Sequence, residues 1–248
     1  MLPIEAPEAQ PIKGGLLAHV TPRTDIQAFA FEYGVTFTSV LAGAPQPVPE
    51  DGSDKQFGSI APQKFLPFDV YAGIKASIVD DKENTRKALS EAFEGSLGVA
   101  AETAIQKSLL NPKATVLHDD PITDPRLALG LLEQWGAENL GVQSMIHTSK
   151  LGASMLRDLK DDGGALRTKQ FSPVANGGGY KGTGPGEREA GFGEAWVYVS
   201  RIPTIFRTET QTTDTYDLKK NMYYALSEAR FVPVVEGDVA AVLLKGMP

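Results

Sequence analysis

The sequence predicts an α+β fold, and three features of its pattern lead to this prediction. Apolar residues recur at helical spacing over one very long segment, strand-like segments lie on both sides of it, and no regular alternation of strand and helix follows. With 248 residues, the chain is long enough for one large domain or two small ones. Apolar residues make up 42% of the chain and charged residues 22%, values that exclude a disordered protein.

The first region, residues 1–28, is predicted to be an amino-terminal arm. Three prolines and the pair Gly14-Gly15 leave residues 1–15 without apolar periodicity, so this part is expected to be extended. Such an arm is either disordered or ordered by lying on a neighbour.

Residues 29–79 predict an extended hairpin that projects from the body of the protein. Its two strands, residues 29–41 and 68–79, alternate between apolar and smaller or polar side chains. Between them, residues 42–67 form a long polar excursion with five prolines, and loops of this length usually have a function. The alternating positions are Phe31, Tyr33, Val35 and Phe37 in the first strand and Val70, Ala72, Ile74, Ala76 and Ile78 in the second.

The strongest periodic signal predicts a helix over residues 81–110, roughly 45 Å long at about 1.5 Å per residue. The pair Asp80-Asp81 offers an N-cap, and Asn111-Pro112 is expected to end the helix. Gly95 and Gly98 indicate the close approach of another segment. The apolar stripe consists of Leu89, Phe93, Leu97, Ala101 and Ile105, with Ala104 and Leu109 beside it.

The second half of the chain predicts shorter elements. Asp124-Pro125 begins a helix that is expected to run to Trp135, and residues 148–160 predict a third helix closed by Gly163-Gly164. Residues 161–193 are rich in glycine and are predicted to be mostly loop. Strands are predicted over residues 142–147, around Trp196 and Tyr198, around Ile202 and Ile205, over residues 222–235 and over residues 239–245.

Charge and composition exclude several classes of function. A net charge of −7 and a pI near 5.1 argue against a surface that clamps nucleic acid phosphates. The absence of cysteine excludes a disulfide framework and a cysteine nucleophile. The beginning of the chain lacks the pattern of a signal peptide, and the apolar run at residues 239–244 is far too short to span a bilayer. A soluble protein made in the cytoplasm, with no membrane partner, is therefore expected.

No motif predicts an enzyme, a cofactor or a metal ion. Residues 177–184 resemble a phosphate-binding loop, but Lys181 precedes a glycine and no helix is predicted to follow, so a structural loop is expected. Asp158, Asp162 and Gly163 suit a calcium loop, but lysines occupy two positions that require carboxylates.

The remaining polar clusters also have structural explanations. A solvated loop explains His118-Asp119-Asp120 better than a metal site does, and Ser154 does not lie in a nucleophile elbow. Thr123-Asp124 and Asp80-Asp81 are expected to be helix caps rather than acid–base pairs. The three histidines, His19, His118 and His147, show no helical pairing that suits zinc.

Short motifs in the second half carry a resemblance to a known family. They are residues 142–147, 161–166, 179–185 and 196–198, then Lys220-Asn221-Met222, Leu226, Glu228, Arg230 and residues 240–246. In this order, after an arm, an extended loop and a long helix, they resemble tailed-bacteriophage major capsid proteins of the Hong Kong 97 type. The sets at 179–185 and 196–198 are similar to capsid proteins of actinobacterial phages.

This resemblance implies the Hong Kong 97-type capsid fold and a division of the chain into five regions. The regions are an N-terminal arm (1–28), an extended E-loop hairpin (29–79), a peripheral domain with the spine helix (80–122), an apical domain (123–207) and returning strands of the peripheral domain (208–248).

The resemblance also implies a function, that of a major capsid protein. Such a protein assembles with itself into hexamers and pentamers of an icosahedral phage head that encloses double-stranded DNA non-specifically. Its other expected partners are a portal, a separate scaffolding protein and a decoration protein, and it is expected in the virion after assembly in the host cytoplasm. An encapsulin-like nanocompartment shell is the alternative within the fold, and an enzyme on an unrelated α+β fold is the alternative outside it. A proline-rich acidic arm favours the virus.

The resemblance further points to candidate cross-link residues. In one branch of the family an E-loop lysine joins an asparagine of a neighbour, assisted by a glutamate; Asn221 and Glu228 match these two positions, and Lys55 or Lys64 lies on the loop. On a straight strand Asn221 and Glu228 would face opposite sides, so they would serve one site only through a bend or from different subunits. In the alternative interpretation, Glu228 forms a structural charge pair with Arg230 and Asn221 is a turn residue.

Overall fold

The computed structural model describes residues 12–25, 30–38, 62–77 and 81–246, which form an α+β protein as predicted. Its helices are α1 (Leu16–His19), α2 (Ala30–Tyr33), α3 (Lys82–Ile105), α4 (Asn111–Lys113), α5 (Pro125–Leu140) and α6 (Lys150–Met155). Its strands are β1 (Val35–Thr38), β2 (Pro62–Phe65), β3 (Phe68–Ser77), β4 (Ala114–Val116), β5 (Ser144–Thr148), β6 (Lys160–Asp162), β7 (Ala165–Arg167), β8 (Pro173–Ala175), β9 (Glu194–Arg201), β10 (Thr204–Arg207), β11 (Gln211–Asp217), β12 (Met222–Val234) and β13 (Val239–Lys245).

The described strands form two main sheets and a small hairpin. The larger sheet has seven strands in the order β4-β13-β9-β5-β8-β7-β6. In the four-stranded sheet, β12 is central: it pairs along one edge with β11 and β10 and along the other with β3, each time antiparallel. The hairpin consists of β1 and β2 alone, with Thr38 opposite Pro62.

The central strands of the seven-stranded sheet are buried on both faces. Alternate residues of β9 and β13 contribute to two different apolar clusters, because successive side chains of a strand point to opposite sides. One cluster packs on α3 and contains Trp196, Tyr198, Ala241 and Leu243. The other packs on α5 and contains Val197, Val199, Val242 and Leu244.

The long helix α3 joins the two sheets. Its predicted stripe is buried at all five positions, from Leu89 to Ile105. Leu89 packs against Tyr223 and Ala225 of the four-stranded sheet, whereas Ala101 and Ile105 belong to the cluster on the seven-stranded sheet. Asp81 caps the helix as predicted, since its side chain accepts a hydrogen bond from the Asn84 N–H at 3.1 Å.

The helix does not end at Asn111-Pro112 as predicted. Residues Gln106–Leu110 form a π-helical turn, and α4 continues the helical path to Lys113. Pro112 lies in α4, and the helical path ends one residue later, at Lys113. The expected close approach at Gly98 is wrong, since a side chain there would meet no atom within 4 Å.

The predicted hairpin differs from the structure in its first strand and in its pairing, since β3 pairs with β12 rather than with β1. Phe31 and Tyr33 lie in the helical turn α2, and the strand begins only after Gly34, whose positive φ of 88° breaks the extended run. Residues 62–65, predicted as loop, form β2 and pair with β1, while the second predicted strand is β3. The rest of the excursion, including residues 42–61, lies outside the described residues, as do Ile78 and Asp80.

Several boundaries in the second half also needed correction. Helix α5 starts on its Asp124 cap as predicted but extends past Trp135 to Leu140, where Gly141 adopts the left-handed conformation that ends helices. The predicted helix 148–160 is wrong beyond Met155, because Gly163-Gly164 turns the chain between β6 and β7 rather than closing a helix. The predicted strands 222–235 and 239–245 are confirmed to within one residue as β12 and β13. Strand β11 was not predicted.

Candidate functional surfaces

The four candidate cross-link residues do not form one cluster in the subunit. Lys55 lies outside the described residues, and Lys64 is exposed on β2, opposite Thr36. Asn221 lies in the turn before β12 with a φ of +52°, which supports its interpretation as a turn residue. Glu228 is exposed further along β12, and the six steps from Met222 to Glu228 span about 20 Å of strand. Asn221 and Glu228 therefore cannot serve one site within a subunit.

Arg230 pairs with a different carboxylate from the one expected. Its Nε lies 2.5 Å from Asp69 Oδ1, and a terminal nitrogen lies 2.9 Å from Asp69 Oδ2. The guanidinium therefore forms a bidentate ion pair with this carboxylate of β3. This pairing lowers the pKa of Asp69 below its ordinary value. Arg230 also donates to the Phe31 carbonyl, which ties α2 to the sheet. The predicted Glu228–Arg230 pair is replaced by this contact.

The four-stranded sheet has one face that carries no described helix except α2, which lies at its Arg230 end. Residues of β12 that point to α3 are buried, whereas the alternate residues that point away are partly or fully exposed. The outward set consists of Met222, Tyr224, Leu226, Glu228 and Arg230, and on β3 it continues with Asp69, Tyr71, Gly73 and Lys75. Tyr71 is 73% exposed. An aromatic and aliphatic surface flanked by charged side chains is the composition of a protein-binding face.

A buried carboxylate holds the amino-terminal segment on the long helix. Glu102 of α3 is 1% exposed, and its two oxygens accept hydrogen bonds from the Leu16 N–H and the Gly179 N–H, each at 2.8 Å. Burial is the larger influence and raises the pKa of Glu102, while the two hydrogen bonds and Lys150 oppose that shift. Residues 12–18 are thus held in place by contacts within their own chain. The sequence had predicted that residues 1–15 are either disordered or ordered by lying on a neighbour.

The glycine-rich loop at 177–184 packs against α3. A Cβ at Gly179 would overlap the Val99 carbonyl, and one at Gly177 would overlap the Glu102 carboxylate, so the loop approaches the helix where only glycine fits. One turn after Glu102, the Gln106 side chain donates to the Lys181 carbonyl at 3.0 Å and accepts from the Lys181 N–H at 2.6 Å. This arrangement accounts for the loop as a structural element, and the close approach to the helix lies at Val99 and Glu102 rather than at Gly98.

A second buried polar chain lies behind this loop. Ser200 donates to the Arg201 carbonyl, so its oxygen accepts from the Nε2–H of His147 at 2.8 Å. The Nδ1 of His147 then accepts from the Tyr180 hydroxyl at 3.0 Å. Complete burial lowers the pKa of His147 to about 3 and raises that of Tyr180 well above its ordinary value, so both side chains are neutral.

The other polar residues singled out in the sequence remain separate. Within residues 12–25, 30–38, 62–77 and 81–246, no three or more His, Asp or Glu side chains lie close enough to hold a metal ion. His118 makes a local contact, from its Nδ1 to the Asp120 carbonyl at 2.8 Å, and Asp124 accepts from the Arg126 N–H as a cap. None of the helices in these segments is both long and apolar enough to cross a bilayer.

Comparison with known proteins identifies the fold. No family model matches the chain, and neither does any curated protein sequence. Among solved structures, the capsid of a native GTA particle aligns with 12% identity and a TM-score of 0.60, covering 99% of this chain and 95% of that one. A chain of Mycobacterium phage Che8 aligns with 11% identity and a TM-score of 0.56, covering 98% and 94%. A chain of Gordonia phage Cozz aligns with 12% identity and a TM-score of 0.55, covering 100% and 92%.

These alignments cover nearly all of this chain and nearly all of each matched chain. They therefore reflect the whole arrangement of helices and strands rather than one shared motif. The chain has the Hong Kong 97-type capsid fold, as its sequence motifs predicted.

Proposed function

We propose that this chain is the major capsid protein of a tailed bacteriophage. In this role, copies of the chain assemble into the hexamers and pentamers of an icosahedral head that encloses double-stranded DNA, and the protein acts as structure rather than as an enzyme. The observation that carries the proposal is the end-to-end similarity to a GTA capsid and to two phage chains, which spans at least 98% of this chain.

The proposed regions follow the sequence division. The arm is residues 1–28, the E-loop hairpin 29–79, the peripheral domain 80–122 together with 208–248, and the apical domain 123–207. The paired ends of β1 and β2 support a projecting E-loop, because Thr38 and Pro62 lie opposite each other and the chain between them must leave and return at one point. The position of α3 across both sheets supports its role as the spine helix.

The proposed partners are other copies of the chain, a portal, a scaffolding protein, a decoration protein and the packaged DNA, within a virion assembled in the host cytoplasm. The charge of −7 supports enclosure of DNA without tight binding, since an acidic wall repels phosphates and lets the genome move during filling. The outward face of the four-stranded sheet supports self-assembly, because the part that α2 leaves open offers a surface to a neighbouring subunit.

Cross-linking of the shell remains a separate proposal. We place Asn221 and Glu228 at one site only when they come from different subunits, with Lys55 or Lys64 of a neighbour's E-loop as the amine. The lysine nitrogen would bond to the side-chain carbonyl carbon of Asn221, whose amide nitrogen would leave as ammonia. The lysine would need to be neutral, which an apolar pocket favours, and the Glu228 carboxylate would take the proton that the attacking nitrogen loses. Denaturing electrophoresis of particles decides this question, since a ladder of multimers supports the bond and a single band at subunit mass excludes it.

Electron microscopy of the purified chain, produced in a bacterial host, tests the proposed function. Closed icosahedral particles of uniform size are expected, and a monomer with catalytic turnover would overturn the proposal. Nucleic acid in particles from infected cells separates a phage head from an encapsulin-like compartment, which would contain enzymes instead.

Two deletions test whether folding of the subunit and assembly of the shell are separate steps. Removal of residues 1–11 or of residues 42–61 should leave the melting temperature nearly unchanged but prevent stable shells. These limits spare residues 12–15 and β2, because Gly14, Gly15 and Phe65 are buried within the subunit. Normal particles from both truncated chains would contradict the proposed coupling to neighbours.

A further inference from the structure

Two strand edges of the four-stranded sheet have no strand partner among the residues that the structure describes. One is the outer edge of β3 over residues 68–76 and the other is that of β11, on opposite sides of β12. Unpaired edges expose a row of backbone donors and acceptors, and proteins normally protect them from pairing with other chains. The two edges differ in whether such protection is present.

The edge of β11 is protected. Arg86 of α3 donates to the Thr212 carbonyl at 3.5 Å, and Lys82 lies over the Tyr216 ring with its nitrogen 4.7 Å from the centroid. Two copies of β11 paired about their middle would also place Asp214 directly opposite Asp214, and like charges at that position are destabilising.

The edge of β3, in contrast, is complementary to itself. If two copies run antiparallel about Ala72, each Asp69 lies opposite the other copy's Lys75, and each Tyr71 lies opposite Gly73. The pairing therefore produces two opposite-charge contacts on the outward face. Asp69 already binds Arg230, but its side chain remains 56% exposed and so can accept a further bond.

Gly73 supplies an independent observation. It lies inside a ten-residue strand, where glycine is unfavourable, and a Cβ there would meet only ordinary contacts, the nearest being the Ala225 carbonyl at 3.6 Å. Nothing among the described residues requires glycine at this position. A facing aromatic ring does, because the Tyr71 side chain of a second copy would cover the backbone at Gly73, as aromatic residues cover edge glycines in sheets.

We infer that β3 is a self-association edge, which pairs antiparallel with β3 of a second copy about a two-fold axis at Ala72. The pairing joins two four-stranded sheets into one continuous sheet across neighbouring subunits. It deepens the proposed shell function by naming a contact between copies, and in that respect it rests on that function.

Engineered cysteines test the pairing directly, because the natural chain contains none. In the double variant Y71C/G73C, each new thiol faces its partner across an antiparallel pair, where Cα separations of about 4.5–5.5 Å suit a disulfide. Mild oxidation should give a dimer band on non-reducing denaturing gels that disappears on reduction. The matched control is T213C/T215C on β11, with the same spacing at the protected edge, which should remain monomeric.

The possible outcomes distinguish failure of the β3 pairing from failure of the proposed shell function. A dimer band in Y71C/G73C alone supports the inference, whether or not electron microscopy of the same sample shows particles; a dimer without particles would contradict only the shell function. Normal particles without a dimer band overturn the inference and leave the shell function intact. A stronger dimer band from Y71C alone or from G73C alone would indicate another register and would also overturn it.

A second variant gives a readout that does not depend on disulfides. Gly73→Val should raise the melting temperature of the dissociated subunit, since valine favours strands, and should reduce association measured by analytical ultracentrifugation, since its side chain meets Tyr71 of the second copy. Unchanged association with a raised melting temperature would contradict the inference.

Discussion

The two sheets of this chain differ in how far their faces are covered by helices. The seven-stranded sheet has α3 on one face and α5 on the other, and its central strands are apolar in both directions. The four-stranded sheet has α3 along one face, and its other face carries only α2 at the Arg230 end among the described helices, with tyrosines, aliphatic residues and charges beyond it. The first sheet is covered within one chain, whereas the second leaves part of one face open, as the proposed contact between copies requires. Four substitutions test this difference, from the largest expected effect to the smallest.

Phe93→Ala should lower the free energy of unfolding by about 3–5 kcal/mol. Phe93 is 1% exposed on α3, within the cluster that also contains residues of both sheets, so its removal leaves a cavity that neither sheet can fill. Urea unfolding measures the change. Phe192→Ala is the control, because this ring is fully exposed and its loss should have little effect.

His147 should make the seven-stranded sheet sensitive to acid. Its pKa falls from an ordinary 6.5 to about 3 on burial, so between these values the unfolded chain binds a proton that the folded chain does not. The free energy of unfolding therefore decreases as the pH falls through this window. His147→Gln removes this titration, and urea unfolding between about pH 6.5 and pH 4 should show a shallower loss. An unchanged slope would indicate that His147 is accessible to protons in the folded state.

Glu102→Gln should cost about 1–3 kcal/mol at neutral pH, because an amide can accept from one of the two N–H groups but presents its own N–H to the other. Its pH dependence has the opposite sign to that of His147. The raised pKa means that the folded chain binds a proton more tightly than the unfolded chain, so the contribution of Glu102 increases as the pH falls towards the ordinary carboxyl value.

Urea unfolding of the wild type and of Glu102→Gln across this pH range measures the difference, in which the titrations of other groups cancel. The control is Glu91→Gln on the same helix, whose side chain is 47% exposed. A difference that shrinks as the pH falls would contradict the assignment of Glu102 as a buried, destabilised charge.

Tyr71→Ala should change the free energy of unfolding of the dissociated subunit by less than about 0.5 kcal/mol, because this side chain is 73% exposed. The matched substitution on the other face of the same sheet is Tyr223→Ala, which removes a fully buried ring and should cost roughly 3–5 kcal/mol. Equal losses for the two tyrosines, measured by urea unfolding, would show that the outward face is already covered within the subunit.

Elements with strong local signals were predicted well from the sequence. The four-residue repeat in α3, the Asp81 and Asp124 caps and the apolar run of β13 depend on neighbours within a few residues along the chain. Strand β11 has no such signal, since its threonines and aspartates are exposed and it is a strand because β12 lies beside it. The end of the helix at 148–160 was missed because Gly163-Gly164 fits both a helix end and a hairpin turn.

The polar contacts could not be predicted because their partners are far apart in sequence. Asp69 and Arg230 are separated by 161 residues, and Glu102 and Gly179 by 77. One signal was available: Glu102 and Gln106 follow Ala101 and Ile105 directly, so they lie at the border of the buried stripe. The apolar spacing alone does not indicate that these two polar side chains are buried against a glycine-rich loop.

The bond between Glu102 and Gly179 has a consequence for the synthesis of the protein. The Leu16 N–H shares its acceptor with Gly179, so the amino-terminal segment reaches its final place only after a further 163 residues have been made. At about 5–20 residues per second, this delay is roughly ten to thirty seconds. During that time these hydrogen bonds of Leu16 and Gly179 to Glu102 are incomplete. Under the proposed capsid function, the order of translation would therefore delay assembly until the chain is nearly complete.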